Sequence, residues 1–125
     1  MTNFEKFKQA VEVVKWCEKC INDFSRYYWL TPEKLKEYSP ICCLVLRMNK
    51  FGSVFELCLY CEKQLGFYDM EAKRLFKELK KEFKENGEPF DYEYKSTARK
   101  TIQTYHHNVI EQATRLNKVY VMEQK

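Results

Sequence analysis

Apolar residues recur along the first part of the chain at Phe7, Ala10, Val14, Cys17, Ile21, Phe24 and Tyr28. The steps alternate between three and four, the spacing that lines side chains along one face of an α-helix. Val11 and Val13 widen the stripe. Thr2 and Glu5 stand at capping-box spacing, so the helix is predicted to begin there. Tyr27-Tyr28-Trp29-Leu30 closes it with bulk. A stripe of this length buries its face against other helices. Inside one chain that makes a bundle seam, and the seam is preferred to a coiled coil between chains because about three heptads is the minimum for the latter.

Start and stop signals divide the rest of the chain. Thr31-Pro32-Glu33 supplies a cap, a proline at the first helical position and an acid in the first turn, which predicts a short helix to Tyr38. Ser39-Pro40 repeats the signal. Residues 41–48 are apolar enough for a buried strand, which would form a hairpin with residues 54–61. The cap ahead and Gly52 behind favour a helix. Ser53 and Glu56 form a second capping box, followed by Val54, Cys58, Cys61 and Leu65 on one face. Leu65-Gly66-Phe67 reads as a Schellman ending, and Asp69 as the cap of a further helix. That helix carries Ala72, Leu75, Phe76, Leu79 and Phe83 inward and stops at Asn86-Gly87. Residues 87–95 are the one long linker. Ala98, Ile102, Tyr105, Val109, Ala113, Leu116 and Tyr120 predict a last helix, starting between Asp91 and Ser96. The expected fold is an all-α bundle of five to six helices with long first and last helices, residues 1–125 making one domain.

Composition narrows the function classes. The 125 residues carry a net charge of +4, too mild and too dispersed for a nucleic-acid footprint, so nucleic acid is not the favoured partner. No apolar run approaches the roughly 20 residues of a membrane span, so no membrane role is expected. The N-terminal residues show no apolar leader, which points to a reducing, cytoplasmic setting with free thiols. Lys outnumbers Arg and Ala is scarce, the composition of an AT-rich coding sequence.

Cys17-Glu18-Lys19-Cys20 and Cys58-Leu59-Tyr60-Cys61 are both C-x-x-C. On helices, each pair shares a face, and two such pairs could complete a tetrahedral Zn²⁺ or Cu⁺ site from Cys17, Cys20, Cys58 and Cys61. The 37 residues between the pairs and their place on the apolar stripes favour core packing instead. No cofactor or metal is therefore expected. Cys42 and Cys43 are adjacent, a poor geometry for two ligands of one ion.

Arg99 and His106 stand in Arg-x₆-His spacing, two helical turns apart on one side of the last helix. In this the chain resembles the loosest form of the motif of HEPN ribonucleases, small all-α domains that work as dimers. The resemblance implies Arg99 stabilising a phosphate and His106 transferring a proton near the scissile bond. Lys100 departs from the Asn, Asp or His common at that place in the family.

Lys73, Lys77, Lys80 and Lys84 form a basic stripe, with Glu71, Glu78, Glu82 and Glu85 interleaved as on a solvated helix back. The aromatics, 16% of the chain, are less ordinary. Arg26-Tyr27-Tyr28-Trp29 and Phe90-Asp91-Tyr92-Glu93-Tyr94 fall at helix ends or in loops, and Tyr, Trp and Arg dominate binding hot spots. Arg26, Tyr27, Trp29, Phe90, Tyr92 and Tyr94 are the candidate partner-binding residues, the other reading being that they close the bundle ends. The expectation is a helical module that binds another protein and self-associates, since the long first helix and the aromatic excess offer more apolar surface than a small core needs. Size and composition fit a phage or mobile-element factor that binds and inhibits a host defence protein. The alternatives are the ribonuclease of Arg99 and His106 and the cysteine-ligated metal bundle.

Overall fold

The computed structural model describes the backbone of residues 1–123 and the side chains through Leu116. Helix α1 (Asn3–Phe24) opens on Thr2, whose hydroxyl accepts the Glu5 N–H at 3.1 Å. Phe7, Ala10, Val14, Cys17, Ile21 and Phe24 are all buried, so the seam lies inside the chain. One 3₁₀ turn (Ser25–Tyr27) comes next, and Tyr28 closes the end. Helices α2 (Pro32–Tyr38) and α3 (Pro40–Met48) begin as their caps predict: Thr31 accepts the Lys34 N–H and Ser39 the Cys42 N–H. Residues 41–48 are therefore helical.

Gly52 is not the residue that ends α3. Lys50 takes the left-handed conformation, φ 60°. The Phe51 N–H donates to the Leu46 carbonyl at 2.9 Å and the Lys50 N–H to that of Arg47, a Schellman ending built without glycine. Gly52 serves the next helix instead. Its N–H donates to Glu56 Oε2 at 2.7 Å while the Ser53 hydroxyl accepts the Glu56 N–H.

Helix α4 (Val54–Glu85) is one helix of 32 residues, where the sequence predicts a stop near Gly66 and a new start at Asp69. The seam explains the continuity. Val54, Cys58, Cys61, Leu65, Asp69, Ala72, Leu75 and Leu79 are buried at unbroken spacings of three and four. A lone glycine costs about 1 kcal/mol relative to alanine. Burying a single Leu contributes about 1.5–3 kcal/mol, so the seam overrides the glycine. Asp69 is a seam residue and not a cap. The helix ends at Asn86-Gly87 as predicted, with Gly87 at φ 70° and the Glu88 N–H on the Phe83 carbonyl at 2.8 Å.

Helix α5 (Ala98–Glu123) starts later than the predicted window, because residues 90–94 are spent on packing and Thr97 is tied to α1. Glu18 accepts the hydroxyls of both Thr97 and Thr101. Ala98 and Tyr105 are buried and Ile102 and Val109 half-buried, whereas Ala113 and Leu116 are exposed. Tyr120, the last predicted stripe position, lies outside the described side chains.

Together these make an all-α bundle of five helices among the described residues. Contacts of Asn3 with Glu82 and of Trp16 with Tyr60 set α1 and α4 antiparallel. Contacts of Glu18 with Thr101 and of Ser25 with Asn108 set α5 alongside α1 in the same direction. One apolar cluster, around Phe7, Ala10, Ala72, Leu75 and Leu79, fills the end where α1 starts. The larger one, with Val14, Ile21, Leu35, Leu46, Leu57, Leu65 and the cysteines, fills the other. No helix among the described residues is long and apolar enough to cross a membrane.

Candidate interaction groove

The two aromatic groups singled out in the sequence lie at opposite ends of α1. Phe90 packs on Phe76 and Phe83, with ring centroids 5.7 and 4.9 Å apart. The Tyr94 hydroxyl donates to Asp69 Oδ1 at 2.5 Å, and Tyr92 stands edge-on to Phe4 at 5.1 Å with 45% of its surface exposed. This end is closed by its aromatics. Tyr94 holds its proton well above the ordinary range, through burial and then the hydrogen bond to Asp69.

At the other end, Arg26, Tyr27 and Trp29 line a groove of about 510 Å³. The 3₁₀ turn and the loop after it form one wall, with Leu30, and Tyr38 at the end of α2 extends it. The opposite wall is one face of α5: Asn108, Glu111, Gln112, Arg115 and Leu116. The wall is pinned from below. Ser25 is fully buried, and its hydroxyl accepts from Asn108 Nδ2 at 2.7 Å. Gln112 Oε1 accepts the Trp29 backbone N–H at 3.3 Å, and the indole Nε1–H donates to the Val109 carbonyl at 3.4 Å. Trp29 is thereby fixed in orientation and still 47% exposed.

The groove carries charge at its rim. Arg26 lies over the Tyr27 ring, 5.6 Å from its centroid. Among the described residues no carboxylate pairs with Arg26, whereas Arg115 is paired with Glu111 at 2.7 Å. The groove thus combines apolar walls, a few fixed polar groups and, at Arg26, a cation with no carboxylate partner among the described residues. The α5 wall was missed in the sequence. Its signal is the polar row Asn108, Glu111, Gln112 and Arg115, at helical spacing beside the apolar stripe.

The remaining candidate residues lie outside this groove. Cys17, Cys20, Cys58 and Cys61 do come together across α1 and α4, joined by Cys42 from α3, and all five are buried in one apolar cluster. Hydrogen bonds to Cys17 and Cys20, with burial, push the Cys61 thiol far up. Burial pushes Cys42 and Cys58 to about 12. Among the described residues no three His, Cys, Asp or Glu side chains are grouped so as to hold a metal ion. Arg99 and His106 are both exposed on α5. His106 sits 3.7 Å from Glu62 in a shallow recess with Tyr105, Val109 and Ile110, which Arg99 does not line. The basic stripe is exposed, with Lys73 on Asp69 at 3.2 Å and Lys80 over the Phe76 ring. Arg74 beside it bridges Glu71 and Glu78, each at 3.0 Å.

Set against family models, curated proteins and solved structures, the chain matches none.

Proposed function

We propose that this chain works as a protein-binding module, and that the groove between the 3₁₀ turn and α5 receives a segment of its partner. The observation that carries this reading is Trp29: half exposed, fixed by α5 through its backbone and its indole, and flanked by Tyr27, Tyr38 and Arg26 in one cavity. A rigid aromatic beside an arginine is the composition of interface hot spots, because large area is gained with little loss of side-chain freedom. The segment that fits carries an apolar side chain against Trp29 and Leu30 and a carboxylate toward Arg26.

Selection of binders from a displayed random-peptide library against the folded chain tests this. The expected binders share an apolar residue next to Asp or Glu. They lose at least about tenfold in affinity on Trp29→Ala and on Arg26→Glu, as truncating a hot spot does. Binders indifferent to both substitutions, with both variants still folded by circular dichroism, overturn the assignment of the groove.

A further inference from the structure

Trp16 of α1, Tyr60 of α4 and Phe51 of the turn between α3 and α4 surround a second cleft, of about 410 Å³, with Asn49 as its fourth side chain. It shares no residue with the groove of Trp29. Trp16 and Tyr60 are exposed and Phe51 is half-buried. All three stand on fixed backbone: two on the long helices, and Phe51 held by its N–H on the Leu46 carbonyl at 2.9 Å. The rings do not stack. Tyr60 is the shared wall, its centroid 5.3 Å from that of Phe51 at 51° and 6.5 Å from that of Trp16 at 78°. Planes at such angles form a corner, which receives a round group better than a flat one. An aromatic face attracts a cation within about 6 Å of its centroid. Among the described residues, lysines and arginines lie over Phe4, Tyr27 and Phe76 and over none of these three rings.

We propose that this cleft binds the quaternary ammonium group of a small ligand of the choline class. Three observations select that occupant. The walls are three rings with no cation of the chain's own upon them. The polar wall is an acceptor: Asn49 Nδ2 donates to the Val45 carbonyl at 2.9 Å, which fixes the amide, and its Oδ1 takes no donor from the described residues. No carboxylate lines the cleft. A primary ammonium is strongly hydrated and needs acceptors for its three N–H groups, whereas a quaternary one has no N–H to satisfy. Flanking charge is mixed. Glu12 and Lys19 stand a turn to either side of Trp16, Glu56 and Lys63 a turn to either side of Tyr60, and Lys50 precedes Phe51, all exposed. Glu56 is already engaged by the Gly52 N–H. The attraction is therefore the short-range one of the rings. Four lining side chains are also too few to seat a peptide backbone, so the ligand is small.

Amide and indole NMR of the full chain, titrated with choline chloride at constant ionic strength, reads this residue by residue. The Trp16 indole and the amides of Asn49, Phe51 and Tyr60 are expected to shift together and to saturate with a Kd on the order of 1 mM, the scale of cation–π contacts at a partly exposed site. The Trp29 indole is expected to stay where it is. Ethanolamine, with a primary ammonium, and the neutral analogue carrying tert-butyl in place of trimethylammonium are each expected to bind at least about tenfold more weakly than choline. Both comparisons use the unaltered chain. Trp16→Leu and Tyr60→Leu, at exposed positions, keep apolar bulk and remove one ring each. Each is expected to weaken choline by at least about fivefold while the fold is retained by circular dichroism. A chain whose Trp16 indole shows no saturable shift overturns the proposal. So does a neutral analogue that binds as well as choline, which makes the cleft merely apolar, or a response centred on Trp29. Shifts produced by phosphatidylcholine vesicles but not by free choline overturn it as well, because the face then meets a membrane rather than a small ligand.

Discussion

Asp69 sits in the apolar seam of α4, where an unpaired carboxylate would cost several kcal/mol. Burial works against its charge, but hydrogen bonds from Tyr94, Ser96 and Lys73 outweigh that and hold its pKa below the ordinary 3.8. A carboxyl lowered by folding contributes stability that is fully present above its unfolded pKa and lost as pH falls through the folded one. Tyr94→Phe removes the 2.5 Å bond and leaves the ring in place. It should cost about 1–2 kcal/mol at neutral pH, and the deficit should shrink below about pH 4 as Asp69 becomes neutral. Urea unfolding of both proteins at pH 7 and pH 3 measures the gap, and a gap equal at the two pH values would show that the hydroxyl does not serve the charge. On the alkaline side the sign reverses. Tyr94 and Tyr105 are both raised, Tyr105 by burial and then by its bond with Tyr28. The stability they contribute is complete below about pH 10, the ordinary tyrosine value, and declines above it. Lys73, four residues on, is the one local member of this network; the Tyr94 hydroxyl comes from 25 residues away and nothing near Asp69 in the sequence announces it. Read locally, an Asp after a glycine is a helix cap.

The starts of α1 to α4 were legible because capping is local: Thr2, Thr31, Ser39 and Ser53 each accept the N–H three residues on, as their spacing predicts. The start of α5 was not, nor was the absence of one at Asp69. Helix stops were harder, because they depend on whether the seam continues. Gly66 and Gly87 separate the cases. Gly66 lies within the helix, and a Cβ added there meets nothing within 4 Å. Gly87 stands just past the end at φ 70°, which an L side chain adopts only under strain. Gly66→Ala should therefore stabilise by about 0.5–1 kcal/mol, removing backbone freedom from the unfolded chain. Gly87→Ala should destabilise by about 1 kcal/mol. Thermal unfolding of the two variants reads opposite shifts of a few degrees, and shifts of the same sign would contradict one helix running from Val54 to Glu85.

Across the whole molecule, the fold class came from the period of the apolar residues, but the groove did not. Arg26, Tyr27 and Trp29 were visible as an aromatic cluster, yet their opposite wall depends on α5 lying parallel to α1, which is fixed by Glu18 with Thr97 and Thr101 and by Ser25 with Asn108. Sequence spacing is blind to contacts of that range. The same long-range assembly gathers Cys17 and Cys20 of α1, Cys42 of α3 and Cys58 and Cys61 of α4 into one core cluster, and leaves Cys43 half-buried. Only a thiolate attacks a disulfide reagent; burial holds Cys42 and Cys58 near 12, and hydrogen bonds to Cys17 and Cys20 hold Cys61 well above its ordinary range. The same bonds lower Cys17 and Cys20, which are kept from the reagent by their burial alone. Because the five protected thiols are shared among three helices, exposing them requires the helices to part together. With excess aromatic disulfide at pH 8, Cys43 should therefore react first and alone. The other five should react later as one phase whose rate tracks the population of the unfolded chain in mild denaturant. Stepwise release, with Cys42 ahead of the α1 and α4 thiols, would instead identify α2 and α3 as a flap that opens independently of the α1–α4 pair.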